Sequence, residues 1–240
     1  MFERTGHRRI VRVLEALDAN IFDANHCWFG GGTAIALSHG EYRESVDIDF
    51  LVSDLAGYRT LRQRCTGRDG IGAVTRAGTT LEIVGDMRAD QYGIRTWLAV
   101  DDTEIKLEIV HEGRITFEAP TATNRICGIA TLTKLDLATS KLLASSDRWA
   151  DDAVHSRDLI DLAMMRLDRK TLRAALDKAR GAYGASVEKD LVKAVDALRR
   201  RAGRLDECMR ALRMVEVEPG VVPVPLAVLW KQIRRLAPTR

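Results

Sequence analysis

Asp47 and Asp49 flank a single isoleucine. Fifteen residues before Asp47 lies Gly32, in the run Trp28-Phe29-Gly30-Gly31-Gly32-Thr33. Extended side chains alternate with period two, so Val46, Ile48 and Phe50 are expected on one face and both carboxylates on the other. Two acids on one face of an apolar strand repel each other and are costly unless a cation lies between them. Hard oxygen ligands of this kind suit Mg²⁺, with Mn²⁺ as the alternative, and Mg²⁺ also recruits substrate phosphate oxygens. The glycines supply the second half. A glycine turn that opens a helix offers unpaired N–H groups and the positive end of the helix dipole to an anion. Phosphate cradle and paired carboxylates together point to metal-dependent nucleotidyl or phosphoryl transfer. Each half also has a plainer reading, the glycines as a tight turn and the acids as charges blunting an edge strand. Their order and spacing favour the chemical one.

These residues resemble the signature of the polymerase β-like nucleotidyltransferase superfamily, and more narrowly the AbiEii/AbiGii-type toxin nucleotidyltransferases. Four blocks carry the resemblance: Gly31-Gly32-Thr33-Ala34, Arg43-Glu44-Ser45-Val46-Asp47-Ile48-Asp49, Ser140-Lys141-Leu142-Leu143-Ala144 and Arg157-Asp158-Leu159-Ile160-Asp161-Leu162. The likeness spans about residues 25 to 165, and its last two blocks select the toxin branch. Ser140 stands where the family has an acid, and the interval after the glycines is long for the superfamily. The resemblance implies a nucleoside triphosphate as substrate and an RNA acceptor, with the tRNA 3′ end first. It also implies a toxin role checked by an antitoxin protein. A small-molecule or protein hydroxyl is the alternative acceptor. A scaffold that binds nucleotide or RNA without catalysis is the alternative class, which the intact Asp47, Asp49, Gly31 and Gly32 oppose.

Polymerase-like sites draw another acid from a neighbouring strand. In Thr103–Val110, Ile105, Leu107 and Ile109 share one face and Glu104, Lys106 and Glu108 the other. Glu108 lies deepest in the apolar run, where an isolated acid is costly, so it is the candidate third carboxylate, as general base or metal ligand; a salt bridge to Lys106 is its plain reading, and Glu82 is its rival. Gly31, Gly32 and Thr33 are the expected phosphate holders, with Arg43 as a bidentate clamp and Ser45 as a donor; both could equally be turn residues. Lys141 on an apolar helix either snorkels or meets an anion; the resemblance implies the triphosphate, with Lys134 as backup. Asp158 and Asp161 share a helix face. Acids there also suit a helix start, and the resemblance raises Asp158 to a functional residue that orients Lys141 or the nucleotide.

The elements that must position these groups follow from periodicity. An amphipathic helix is expected over 5–20, a strand over 27–29, a helix from Thr33 to His39, the carboxylate strand over 47–52 and a helix over 55–65. Residues 71–85 and 93–110 switch to period two, with antiparallel pairing expected between neighbours. Helices are expected over 132–145, 153–166, 169–182, 187–201, 205–214 and 226–236. The fold class is therefore α/β, a mixed sheet of the polymerase β-like type with flanking helices, followed by an all-α region. The expected division is 1–130 as the nucleotidyltransferase domain and 131–240 as a helical domain completing the site.

Composition narrows the setting. No apolar run approaches a membrane span, and the polar opening residues carry no charged–apolar–small pattern, so no signal peptide is expected. Cys27, Cys65, Cys127 and Cys208 lack metal spacing, which suits a reducing cytoplasm. Residues 1–120 carry 14 Lys+Arg against 19 Asp+Glu, and residues 121–240 carry 23 against 15. An acidic half and a basic half suit a metal site facing a polyanion, with Lys189, Lys193, Arg199, Arg200 and Arg201 as the expected RNA-facing cations. Solvated helix faces would give the same imbalance.

Overall fold

The computed structural model describes residues 2–215 and 217–236. Its first element, α1 (Thr5–Ala16), buries Ile10, Val13 and Leu14 along one stripe, as their spacing requires. Leu17 is extended and a short helix, α2 (Ala19–Ala24), follows, capped by the Asp18 carboxylate on the Asn20 N–H. The expected helix over 5–20 is thus two, broken where Asp18 prefers a cap to a helix interior.

Strand β1 (Cys27–Gly30) leads directly into α3 (Gly31–Ser38), and β2 (Ile48–Val52) follows after a loop. Helix α4 (Leu55–Cys65) is capped by Asp54, which accepts from Ala56 and Gly57. Residues 70–74 form a 3-10 turn rather than the start of a strand. Ile71 and Val74 are both buried there, three apart as the 3-10 period needs. Strands β3 (Glu82–Ala89), β4 (Gly93–Val100) and β5 (Thr103–His111) complete a sheet of order β1-β2-β5-β4-β3. Pairing is antiparallel throughout except between β2 and β5, which run parallel. On the covered face Ile48, Phe50, Val52, Ile105, Leu107 and Ile109 are buried, and Phe50 stacks on Phe22 at 4.3 Å. The opposite face carries Asp49 and Glu108 side by side in register.

A small ladder of β6 (Arg125–Ile126) and β7 (Ile129–Ala130) precedes the helices α5 (Lys134–Arg148), α6 (Arg157–Met164), α7 (Arg169–Tyr183), α8 (Ser186–Arg200), α9 (Arg204–Ala211) and α10 (Leu226–Leu236). The Thr133 side chain caps α5 through the Asp136 N–H. Helix α6 is buried from Asp158 to Met164 and packs against α3, α5, α8 and α10. It starts four residues later than its pattern suggests, because His155 and Ser156 are left-handed. The architecture is a mixed α/β sheet with flanking helices followed by C-terminal helices. No helix among the described residues is long and apolar enough to cross a membrane.

Candidate active site

The antiparallel register of β1 and β2 sets Gly30 opposite Asp49. Gly30 is the N-cap of α3 and offers no side-chain cap, so the first amides of the helix lack intrahelical acceptors. Gly31 has φ +67° and lies against Asp49 so closely that a β-carbon there would stand 2.9 Å from Asp49 Cγ. The carboxylate therefore rests on the backbone of the helix start. Asp49 is half-buried, and burial first, then the charge of Asp47 and more weakly of Glu108, pushes its carboxyl up to about 6 against the pull of Lys141.

Asp47 is exposed and lies just before β2. Its position is fixed through its carbonyl, which accepts from the Thr33 hydroxyl at 2.5 Å, while Thr33 and Ser45 hydroxyls meet at 2.8 Å. The Ser45 N–H donates to Nε2 of buried His7 at 3.3 Å, and His7 Nδ1 meets the Glu41 carboxylate at 2.8 Å. Burial lowers the His7 pKa despite Glu41, consistent with a neutral ring whose Nε2 accepts. Thr33 is buried, so its hydroxyl props the Asp47 loop and only its main chain is left for a phosphate. The pair Asp47 and Asp49 fits a hard divalent cation: the charge of Asp47 adds to the cost of ionising Asp49, and a site with few protein ligands leaves room for phosphate oxygens and solvent. Among the described residues no group of three or more His, Cys, Asp or Glu forms a fuller cage.

Behind the glycines runs a buried chain of charges. Arg43, 4% exposed, donates to Asp161 through Nε at 2.7 Å and through its terminal nitrogen at 3.0 Å. Tyr42 donates to the same carboxylate at 2.5 Å. Lys141 Nζ reaches Asp161 at 2.7 Å and Asp158 at 2.9 Å, and Arg148 Nε donates to Asp158 at 2.7 Å. Burial alone would raise both carboxyls. Lys141 and Arg148 hold Asp158 well below the usual range, and Arg43 and Lys141 lower Asp161. Arg43 is thus not a free phosphate clamp, because Asp161 already occupies its fork. Gly32 is needed for this arrangement too: a β-carbon there would collide with the guanidinium and lie 3.2 Å from Cζ. Asp158 does orient Lys141, but it sits behind the cleft and does not line it. Lys141 lines the cleft while bound to two aspartates.

Glu108 is the acid that register places beside Asp49. Its carboxylate is taken by Arg95 at 2.9 Å and Lys106 at 3.0 Å. Glu82 starts β3, the far edge of the sheet, and is exposed, so it is no rival.

A cleft of about 340 Å³ opens over Gly31, Gly32, Ser45, Asp47 and Asp49 and is closed on the other side by Ser140, Lys141, Arg148 and Arg157. Arg157 has no ion-pair partner among the described residues, whereas Arg114 is tied to Glu112 at 2.7 Å. The Ser140 hydroxyl is buried without a hydrogen-bond partner there. Arg157, Arg148 and Asp161 were not among the sequence-derived site residues; the Arg157–Leu162 block held two of them, but spacing alone does not say which charge faces the cleft. Of the five expected RNA-facing cations, Lys189 has no ion-pair partner among the described residues and the other four do. Lys193 pairs with Asp190 at 2.9 Å, Arg199 and Arg200 with Asp196, and Arg201 with Asp152 at 2.7 Å.

The cleft sets the acids of the β2 segment against the first amides of α3 and the cations of α5 and α6, and the family match below gives its class: the protein is a nucleotidyltransferase. Its family is narrower. Residues 12–226 match the model of the nucleotidyl transferase AbiEii toxin of type IV toxin–antitoxin systems, and the chain belongs to that family. Two solved structures resemble it. A candidate nucleotidyltransferase from H. pylori shares 16% identity at a TM-score of 0.48, over 96% of this chain and 93% of the other. The protein JHP933 from Helicobacter pylori shares 16% identity at 0.49, over 99% and 94%. No curated protein matches the chain.

Proposed function

We propose that this protein transfers a nucleoside monophosphate from a nucleoside triphosphate to the 3′ hydroxyl of an RNA, with tRNA as the acceptor. We propose further that this transfer is the toxic activity an antitoxin partner restrains, and that it takes place in the cytoplasm. One observation carries the reading: the Asp49 carboxylate rests on the backbone of Gly31, so acids and unpaired helix amides face one cleft.

In this reading the amides of Gly31, Gly32 and Thr33 hold phosphate oxygens, and the Ser45 hydroxyl, whose proton goes to Thr33 in the free protein, turns to donate to one of them. Arg157 supplies the uncompensated positive charge across the cleft. Lys141 adds a weaker field because Asp158 and Asp161 share it. Asp47 and Asp49 would hold Mg²⁺ or Mn²⁺, which when bound supplies Lewis-acid stabilisation of charge on the phosphate oxygens. Glu108 is the third carboxylate, available once Arg95 and Lys106 turn to an incoming anion. The acceptor oxygen forms a bond to the α-phosphorus, the bond to the β-phosphate oxygen breaks, pyrophosphate leaves, and the hydroxyl proton passes to a neighbouring carboxylate or to water.

The test incubates the purified protein with total RNA and each α-³²P-labelled nucleoside triphosphate in Mg²⁺. Label in the tRNA band, lost with Asp49→Asn, is the expected result. Label confined to small molecules or to protein would replace the RNA acceptor. No transfer with any triphosphate would remove the catalytic reading.

A further inference from the structure

The carboxylate cleft does not end at Asp49. Val110, Glu112 and Arg114 form a wall shared with a second groove of about 880 Å³, lined further by Tyr58, Arg59, Arg62, Tyr92 and Arg95. This volume lies toward the upper end of the roughly 300–1,000 Å³ of small-ligand clefts. Its floor is the Tyr58–His111 stack, with ring centroids 5.1 Å apart. Its α4 wall presents Arg59 and Arg62, three apart and so on one helix face.

The charges of this groove are unequal in their commitments. The Glu112 carboxylate is tied to Arg114, and Glu108 to Arg95 and Lys106. Asp90 accepts from the Tyr92 and Gly93 amides and touches Arg95 at 3.4 Å. Arg59 and Arg62 have no carboxylate partner among the described residues; Arg62 donates only to the Asp90 carbonyl at 3.2 Å. The acids are therefore spoken for, and the charges of two guanidiniums are not neutralised by any carboxylate among the described residues. At the lip, Tyr92 is 64% exposed, a large aromatic ring with no buried role. Free cations beside an exposed ring suit a single-stranded polynucleotide, whose phosphates meet the arginines and whose bases stack on the ring.

We infer that the groove between α4 and the end of the β4–β5 hairpin ladder at Tyr92 and His111 seats the single-stranded end of the acceptor RNA, with Arg59 and Arg62 on its phosphates and Tyr92 on a base. A strand lying there runs over the shared wall and brings its terminal hydroxyl to Asp47 and Asp49. This inference rests on the RNA-acceptor reading. It also moves the acceptor surface from α8, whose cations are mostly paired, to α4.

The test uses the full chain, a fluorescein-labelled unstructured 12-nucleotide RNA and total RNA. Arg59→Glu/Arg62→Glu alters one exposed and one half-buried side chain, and unchanged melting shows that it folds. RNA affinity is expected to fall at least ten-fold at 100 mM salt, and the log–log salt slope to become shallower by about 1.4, two single-strand phosphate contacts' worth. Nucleoside triphosphate affinity should not change. Tyr92→Ala should weaken RNA binding about ten-fold with the salt slope intact. If the wild type binds and labels RNA but the double reversal leaves affinity and slope unchanged, the groove is not the acceptor path. If poly-glutamate displaces the 12-nucleotide RNA from the wild type at equal charge concentration, the groove is a general polyanion or protein surface and the inference also falls. If the wild type neither binds nor labels RNA while still transferring to another acceptor, the RNA reading itself fails and takes the inference with it.

Discussion

The Asp49 carboxylate occupies the space in which a side chain at Gly31 would sit. One glycine therefore does two things. It takes a positive φ of +67°, and it lets a carboxylate rest on the start of α3. Gly31→Ala is expected to lose transfer activity and to destabilise the fold by roughly 1–3 kcal/mol, from strain and clash together. Urea unfolding beside the labelling assay checks this. Normal stability with normal transfer would mean that Asp49 moves aside freely.

Asp49 also sets a pH dependence. Its folded carboxyl is raised from 3.8 to about 6, by burial first and Asp47 second. The folded state therefore binds the proton more tightly than the unfolded chain, and stability is lost as pH rises through this window. In chelator, Asp49→Asn should be more stable than wild type at pH 8, by on the order of 1–3 kcal/mol, with the gain vanishing near pH 4. Melting curves at the two pH values measure it. A gain of equal size at both would assign the effect to packing instead.

Asp161 works in the opposite direction. Burial would raise it, but Arg43 and Lys141 hold it low, so its contribution is present above the usual carboxylate range and is lost as pH falls through the folded value. Asp161→Ala strands two buried cations and should cost about 3–5 kcal/mol. Asp161→Asn keeps the shape and should recover part of that. Equilibrium denaturation at pH 7 gives both numbers, and a cost below 1 kcal/mol for the alanine variant would show that Arg43 and Lys141 find water or other partners.

Thr33 is a positioning residue for Asp47. Thr33→Val keeps volume but leaves the Asp47 carbonyl and the Ser45 hydroxyl without its hydroxyl. The expected stability cost is about 1–3 kcal/mol. Activity should fall mainly in kcat, at little change in KM for the triphosphate, and Thr33→Ser should restore it. If KM rises instead and serine fails to rescue, Thr33 acts on the phosphates directly.

Much of the frame was legible from local pattern. The helix over 55–65 begins and ends where the Asp54 cap and the apolar spacing place it. The carboxylate strand, the glycine turn before a helix and the antiparallel run through β4 and β5 follow from period two and from glycine chemistry. Misreadings fell where two patterns overlap: residues 70–74 alternate well enough for a strand, yet two glycines and an apolar pair three apart make a 3-10 turn.

The sequence by itself determined which residues could bear the chemistry: two aspartates around one isoleucine, and three glycines before a helix. It also set the family likeness, because those features are local in the chain. Only the tertiary structure decided what each charge is bound to. Arg43 meets Asp161 across 118 residues, and Lys141 meets Asp158 across 17. Parallel pairing of β2 with β5 brings Glu108, not Glu82, beside Asp49. The same folding pairs Lys193, Arg199 and Arg200 of α8 with aspartates and leaves Arg59, Arg62 and Arg157 without a carboxylate partner among the described residues. An ion pair is a property of two positions in space, and a periodicity along the chain reports only one of them.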